Sequence, residues 1–132
     1  MITCTRRIQF CAGHRVMGHE NKCAHLHGHN YLVFVTAEAD ALDKVGRVVD
    51  FSVLKDRIGG WIEEYWDHGF IAAASDEWVL ETLLVAAHTL PNGQKRFAMP
   101  YNPTAENMAR FLGEVVAPEV MLGTGVSVVR VV

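Results

Sequence analysis

The chain contains 132 residues, of which 50% are hydrophobic and 20% are charged, a composition typical of one globular domain over residues 1–132. The net charge is −3 and no block of like charge occurs, so the sequence predicts neither a nucleic-acid-binding nor a membrane-surface protein. No apolar stretch is long enough to span a membrane, and the first residues lack a secretory signal, so we expect a cytosolic protein. Three cysteines cannot all pair within the chain, which argues against a disulfide scaffold.

Two long strands are predicted in the first third of the chain. Side chains alternate from Thr3 to Ala12, and His14 continues this alternation, so we expect it on the core side. A polar loop leads to a second strand from about His27 to Ala37, which is rich in β-branched and aromatic residues. Apolar residues on both of its faces favour a buried, central position. Residues 41–51 are interpreted as a turn that ends in a short strand.

Three helices are predicted in the remainder of the chain. The first covers Val53 to Tyr65 with Ser52 as its N-cap, although Gly59-Gly60 inside it costs about 1 kcal/mol per glycine relative to alanine. The further elements are, in order, an amphipathic helix from Glu77 to His88, a turn at Pro91-Asn92-Gly93, a short strand from Arg96 to Met99, a helix capped by Thr104, and a strand from Val126 to Val132.

This order of elements predicts the α+β class, with an antiparallel sheet and helices packed on one face. Strict β-α-β alternation is missing, which disfavours a Rossmann-type sheet. The sequence also lacks the GxGxxG and GxxxxGKS/T patterns of phosphate-binding loops. The candidate chemistry therefore lies in reactive side chains.

A group of histidines is the strongest chemical signal in the sequence. Residues two apart in a strand share a face, so His27 and His29 can converge on one ion, and His14 at the end of the neighbouring strand can supply a third imidazole. Three neutral imidazoles with an open fourth position are typical of a catalytic zinc site, whereas structural zinc favours thiolates. The alternative is that these are ordinary histidines of a polar loop and strand. We expect His25 to be a neighbour of the ligands.

Three further segments are candidates for acid–base or binding roles. Cys23 lies just before the paired histidines, and a thiol near a dication ionises readily, so it is either a base or nucleophile or a small buried residue. Asp67-His68 is either an acid–base pair or a histidine at a helix C-terminus, and adjacent residues seldom bond to each other directly. Thr104 and Glu106 either begin a helix or bind a polar ligand.

Five motifs in order resemble the 6-pyruvoyltetrahydropterin synthase family: FCAGHRV, CAHLHGHNY, VVDFSVLK, DHGF and PTAEN. They run from Phe10 to about Asn107. The three residues between Cys23 and the His27-Gly28-His29 motif most resemble the queuosine-pathway branch, which forms 6-carboxytetrahydropterin, since animal-type members have a longer spacing there.

The resemblance implies a tunnelling fold (T-fold), with subunits assembled into an oligomeric barrel, usually a hexamer, and active sites between subunits. It implies zinc on His14, His27 and His29, with Cys23 as the proton-abstracting residue. Asp67 with His68 is its implied acid–base partner. The implied reaction converts a pterin triphosphate, 7,8-dihydroneopterin triphosphate, to 6-carboxytetrahydropterin, acetaldehyde and triphosphate, and the nearest cationic groups for the triphosphate are those of Arg15, His19 and Lys22.

Two other functions remain open. One is the sister reaction, which eliminates triphosphate and stops at 6-pyruvoyltetrahydropterin. The other is a non-catalytic zinc- or pterin-binding paralogue. This alternative arises because the family carries a Glu-Thr pair after its final strand, and the residues up to Val132 do not include that pair at this place. Glu81-Thr82 does not lie in a context where it could replace the pair. The segment from Ile71 to Pro100 is also longer than in compact members. A generic zinc hydrolase has no HExxH motif to support it.

Overall fold

The computed structural model describes all 132 residues, Met1–Val132. Their contacts divide the chain into two compact units. The first unit comprises Met1–Gln9, Leu32–Ile62 and Met108–Val132, and the second comprises Phe10–Tyr31 and Glu63–Asn107. None of the helices is both long and apolar enough to cross a membrane.

Five strands form the sheet, in the spatial order β4-β3-β1-β2-β5. They are β1 (Thr3–His14), β2 (His27–Glu38), β3 (Gly69–Ala73), β4 (Arg96–Met99) and β5 (Ser127–Val131). The β2–β5 pair is antiparallel, but β1–β3 and β3–β4 are parallel. The α+β class is confirmed, whereas the prediction of an antiparallel sheet is wrong for these two pairs, and the sheet is mixed.

Strand β3 was not among the predicted elements, and it explains the parallel pairs. It is short, and four of its five residues are buried, so it shows no alternation of apolar and polar side chains. Helix α3 (Glu77–Thr89) connects β3 to β4, and a crossover through a helix joins parallel neighbours. The predicted Glu77 to His88 helix is thereby confirmed, but most of its apolar face is not buried: Val79 is 2% exposed, whereas Leu84 on the same face is 42% exposed.

In the first unit, one continuous helical segment follows the β2 strand. It consists of α1 (Phe51–Leu54), a π-helical turn (Lys55–Gly59) and the first residues of α2 (Gly60–Tyr65). The predicted N-cap Ser52 is wrong, because Asp50 precedes the helix and its carboxylate accepts the Ser52 N–H at 2.9 Å.

The predicted short strand within residues 41–51 is absent, and a side-chain hydrogen-bonded turn takes its place. The Asp43 carboxylate accepts N–H groups from Val45 and Arg47, so these backbone donors are used locally and not in a ladder. In the helical segment that follows, Leu54 and Ile58 are buried.

The C-terminal helical segment begins after Thr104, as predicted. The Thr104 hydroxyl oxygen accepts the Asn107 N–H at 3.1 Å, which is the N-cap hydrogen bond. Helix α4 (Ala105–Phe111) continues through a π-helical turn (Leu112–Val116) into α5 (Ala117–Val120).

Strand β2 is interior in the strand order, but the expectation that both of its faces are buried is wrong. In the first unit, Val33 and Val35 are buried, whereas Leu32 and Phe34, on the opposite face, are 50% and 40% exposed.

Candidate metal centre and active site

His14 is the last residue of β1, and the alternation of the strand turns it inward. Phe10, Ala12 and His14 share one face and are all buried, as the sequence predicts. The His14 Nδ1 atom lies 2.7 Å from the carbonyl oxygen of Pro103. A carbonyl can only accept, so Nδ1 carries the hydrogen and Nε2 keeps a lone pair.

His27 and His29 lie on one face at the beginning of β2. The Nδ1 atom of His27 lies 2.7 Å from the His25 carbonyl oxygen, which leaves its Nε2 lone pair unprotonated in the same way. Gly28 between them lies close to the neighbouring strand, since a Cβ there would be 3.2 Å from the carbonyl oxygen of Ala12. A glycine therefore lets the two strands approach where the histidines converge.

The structure brings the three predicted ligands together. One ring nitrogen from each of His14, His27 and His29 lies within 4.8 Å of the others, and the ring centroids are 4.5 to 5.0 Å apart. The Nε2 atoms of His14 and His27 are buried without a hydrogen-bond partner. Metal-binding histidines typically donate their Nδ1 hydrogen to a backbone carbonyl and keep Nε2 for the metal. These residues therefore fit a metal ion.

Burial favours the neutral, ligating form of His14. Desolvation lowers the pKa of His14 below its ordinary value of 6.5, and positive charge on His27 or His29 lowers it further, although the hydrogen bond to Pro103 opposes this. Next to the cluster, burial raises the pKa of Tyr31 to about 12. Tyr31 stacks on Phe10 with 4.9 Å between ring centroids, so the second unit's core supports the histidines.

Asp67 and His68 form a direct pair, which contradicts the expectation that adjacent residues do not bond. The His68 Nδ1 atom lies 2.8 Å from an Asp67 carboxylate oxygen. This contact is possible because His68 adopts a positive φ of 59°, which turns its side chain back toward Asp67. The other carboxylate oxygen accepts the Cys11 N–H at 3.1 Å.

The surroundings of Asp67 favour its ionised form. Partial burial raises the pKa, but hydrogen bonds from the Cys11 N–H and from His68, together with the charges of His68 and Lys95, outweigh it. The net effect is a pKa below the ordinary 3.8. Lys95 also donates to the Asp67 carbonyl oxygen at 2.6 Å, so both ends of this residue are fixed.

Cys11, and not Cys23, accompanies the Asp67–His68 pair within this chain. The thiol, carboxylate and imidazole atoms of Cys11, Asp67 and His68 lie within 4.8 Å of one another. Cys23 lies in a short 3₁₀ turn (Lys22–Ala24) and is partly exposed. It joins neither cluster. Only the pairing of β1 with β3 brings Cys11 beside the Asp–His pair.

The remaining predicted site residues lie around the cluster. Thr104 caps a helix and Glu106 is exposed in its first turn, while the preceding Pro103 supplies the carbonyl that holds His14. The Arg15 guanidinium is already bound within the chain, because it donates two hydrogen bonds to the buried Asp76 carboxylate, at 2.5 and 2.6 Å.

A cavity of about 430 Å³ lies beside Cys11 and His68 in the second unit. The cavity is open to solvent. Its lining includes Cys11 on β1, His68 in the turn before β3, and Gly28, His29 and Asn30 on β2. Cys11 alternates with Ala12 and His14 along β1, so its side chain lies on the strand face opposite His14, and the cavity adjoins the cluster that contains the Asp–His pair.

These features define an α+β protein with a candidate three-histidine metal centre beside an Asp–His pair. The chain belongs to the family described as 6-pyruvoyl tetrahydropterin synthase, whose model matches residues 3–132. Among curated relatives, the 6-carboxy-5,6,7,8-tetrahydropterin synthase of Rickettsia bellii is 44% identical over 90% of this chain and 83% of its own length. That of Aquifex aeolicus is 34% identical over 81% of this chain and 74% of its own length.

Solved structures share the fold. An uncharacterized protein of Wolinella succinogenes has a TM-score of 0.80 and 26% identity, covering 98% of this chain and 90% of that one. The 6-pyruvoyltetrahydropterin synthase of Plasmodium vivax has a TM-score of 0.62 at 17% identity, covering 100% and 98%. At that identity the second likeness concerns the fold alone.

Proposed function

We propose that this chain is a zinc-dependent carbon–carbon lyase that converts 7,8-dihydroneopterin triphosphate to 6-carboxytetrahydropterin, acetaldehyde and triphosphate, in cytosolic queuosine biosynthesis. The observation that carries the proposal is the convergence of the His14, His27 and His29 ring nitrogens, all within 4.8 Å of one another, together with the direct Asp67–His68 pair. The relatives named 6-carboxy-5,6,7,8-tetrahydropterin synthase support the choice of reaction.

The three histidines are the proposed zinc ligands. His14 and His27 present buried Nε2 atoms fixed through their Nδ1 hydrogen bonds, and His29 completes a three-imidazole set that leaves a fourth position open. Zinc bound there supplies Lewis acidity, which stabilises negative charge that develops on a substrate oxygen.

Proton transfer is assigned to Cys23 and His68. We propose that Cys23 removes a proton next to the substrate's side-chain oxygen and that His68 returns one. Because Cys23 does not lie with His68 within one chain, the proposal places both in an active site between subunits, as the family resemblance implies. Asp67 holds the His68 ring through the 2.8 Å contact and stabilises its protonated form. Acid–base assistance of this kind is typically worth about 10²- to 10⁴-fold in rate.

Thr104 and Glu106 are proposed to contact the substrate. Thr104 uses its oxygen as an acceptor for the helix N-cap, so its hydroxyl hydrogen is free for a polar ligand. Glu106 is an exposed carboxylate in the first turn of the same helix, which suits the N–H donors of a pterin ring.

A homo-oligomer, a hexamer by resemblance, is also part of the proposal. Leu32 and Phe34 on β2 and Val129 on β5 are large apolar side chains that are 40 to 50% exposed, and clusters of this kind favour association. Light scattering after size exclusion tests this point, and a monomer would contradict it.

Product analysis tests the proposed reaction. Zinc-loaded protein is incubated with 7,8-dihydroneopterin triphosphate, and the products are identified by mass spectrometry. We expect 6-carboxytetrahydropterin with an equal amount of acetaldehyde. Accumulation of 6-pyruvoyltetrahydropterin without acetaldehyde would indicate the sister reaction, and an unchanged substrate in the presence of bound zinc would indicate a non-catalytic paralogue.

A further inference from the structure

Cys11, Asp67 and His68 form a second cluster of potential metal-binding side chains. Their thiol, carboxylate and imidazole each place one donor atom within 4.8 Å of the other two. We propose that they form a second cation site, which binds a zinc-like dication of borderline or soft character.

The donor set determines the class of cation. A thiolate, an imidazole and a carboxylate together suit zinc or cadmium, whereas calcium and magnesium prefer oxygen ligands alone. The His68 Nδ1–H donates to the Asp67 oxygen at 2.8 Å, and an incoming dication takes the place of this hydrogen, which is released to solvent. The Cys11 thiol releases its own proton to solvent when it coordinates.

Backbone hydrogen bonds fix the three donors before any ion binds. The Cys11 N–H donates to Asp67, and the His68 N–H donates to the Cys11 carbonyl oxygen at 2.7 Å. The parallel register of β1 and β3 begins at the next residues, Ala12 opposite Gly69. Asp67 and His68 lie in the turn before β3, and these contacts hold that turn against Cys11 of β1, which reduces the ordering cost of binding.

The conformation and exposure of His68 are a second, independent observation. His68 is the only non-glycine residue with a positive φ, a strained conformation that concentrates at functional sites. Its side chain is 77% exposed, whereas that of Asp67 is 27% exposed. Since Cys11 and His68 line the open cavity, water or another ligand can complete the coordination from that side.

Occupancy of this site has a consequence for activity. A dication on Asp67 and His68 removes the proposed acid–base pair from proton transfer, so excess zinc is expected to inhibit turnover. This consequence rests on the proposed function, whereas metal uptake by the cluster does not.

Cadmium titration tests the site directly. Protein loaded with one zinc per chain is titrated with Cd²⁺ alone, in the absence of substrate, and thiolate-to-cadmium absorption and bound metal per chain are measured. We expect one further ion per chain with a thiolate band. Cys11→Ser is expected to lose both, while the matched controls Cys4→Ser, on the same strand, and Cys23→Ser keep both.

A second variant guards against a misfolded Cys11→Ser protein. His68→Asn removes an exposed imidazole with a residue that tolerates positive φ, and we expect at least tenfold weaker cadmium binding. Any one of three results would overturn the proposal. Cys11→Ser could retain the thiolate band, His68→Asn could bind cadmium with unchanged affinity, or the wild type could take up no cadmium beyond the first ion. Cys11-dependent uptake by a protein without pterin turnover would contradict only the proposed function.

Discussion

The Nδ1 atom of His14 lies 2.7 Å from the carbonyl oxygen of Pro103, 89 residues further along the chain. This hydrogen bond fixes the tautomer and orientation of the most buried histidine in the candidate metal centre. It also connects the metal candidate to the segment that begins helix α4. The geometry of the ligand thus depends on the fold of the second unit and not on the histidine motif alone.

Replacement of His14 tests its role as a ligand. We expect His14→Ala to weaken zinc binding by more than about 100-fold, because loss of a ligand costs more than loss of an outer hydrogen-bond partner. Zinc per chain is measured after dialysis. His88→Ala, which removes an exposed histidine of α3, is the control and should keep the wild-type stoichiometry. Equal zinc content in His14→Ala and wild type would show that His14 is not a ligand.

Replacement of Cys23 separates proton abstraction from metal binding. We expect Cys23→Ala to lose at least about 100-fold in turnover while it retains zinc. Cys4→Ala, in the first unit, is the control and should remain active. If Cys23→Ala forms product at nearly the wild-type rate, the assignment of the base is wrong, and Cys11, which lies beside Asp67 and His68, becomes the thiol to test.

The lowered pKa of Asp67 predicts a specific pH dependence of stability. The unfolded chain binds a proton at Asp67 more readily than the folded chain, so the carboxylate stabilises the fold above its ordinary pKa of 3.8. That contribution is lost as the pH falls through the lower folded value. Denaturant unfolding of wild type and Asp67→Asn should therefore differ most near neutral pH and converge in acid. The exposed Asp56→Asn control should show no such convergence, and a pH-independent difference for Asp67→Asn would contradict the prediction.

The contact between Arg15 and Asp76 is expected to stabilise the second unit. Asp76 is 3% exposed and is bound by the Arg15 guanidinium, so Asp76→Ala leaves that charge without its partner. We expect a loss of about 2 kcal/mol in unfolding free energy, somewhat below the cost for a fully buried pair because Arg15 is partly exposed. Asp43→Ala, which breaks an exposed pair with Arg47, should have a much smaller effect. Equal losses in the two variants would show that the Arg15 contact adds no stability.

Local patterns predicted much of the fold and the three histidines. The alternation along β1 placed His14 on the buried face, and the spacing of two placed His27 beside His29. Strand β3 was not predicted, because a short strand with most of its residues buried shows no alternation of apolar and polar side chains. The mixed sheet follows from that strand.

The second half of the site depends on contacts distant in sequence. Cys11 reaches Asp67 only through the pairing of β1 with β3, and no spacing in the sequence encodes that register. The direct Asp67–His68 contact accompanies the positive φ of His68, and the sequence does not predict a positive φ at a histidine. The sequence does not predict that the Pro103 and His25 carbonyl oxygens hold the histidine rings, because every residue type has a backbone carbonyl.

X-ray absorption at the zinc edge, on protein loaded with one equivalent of zinc, tests the metal centre most directly. Three imidazole nitrogens and one oxygen in the inner shell are predicted, with a changed spectrum in His14→Ala. A sulfur neighbour, or an unchanged spectrum in that variant, would show that the first zinc binds elsewhere and would contradict the account.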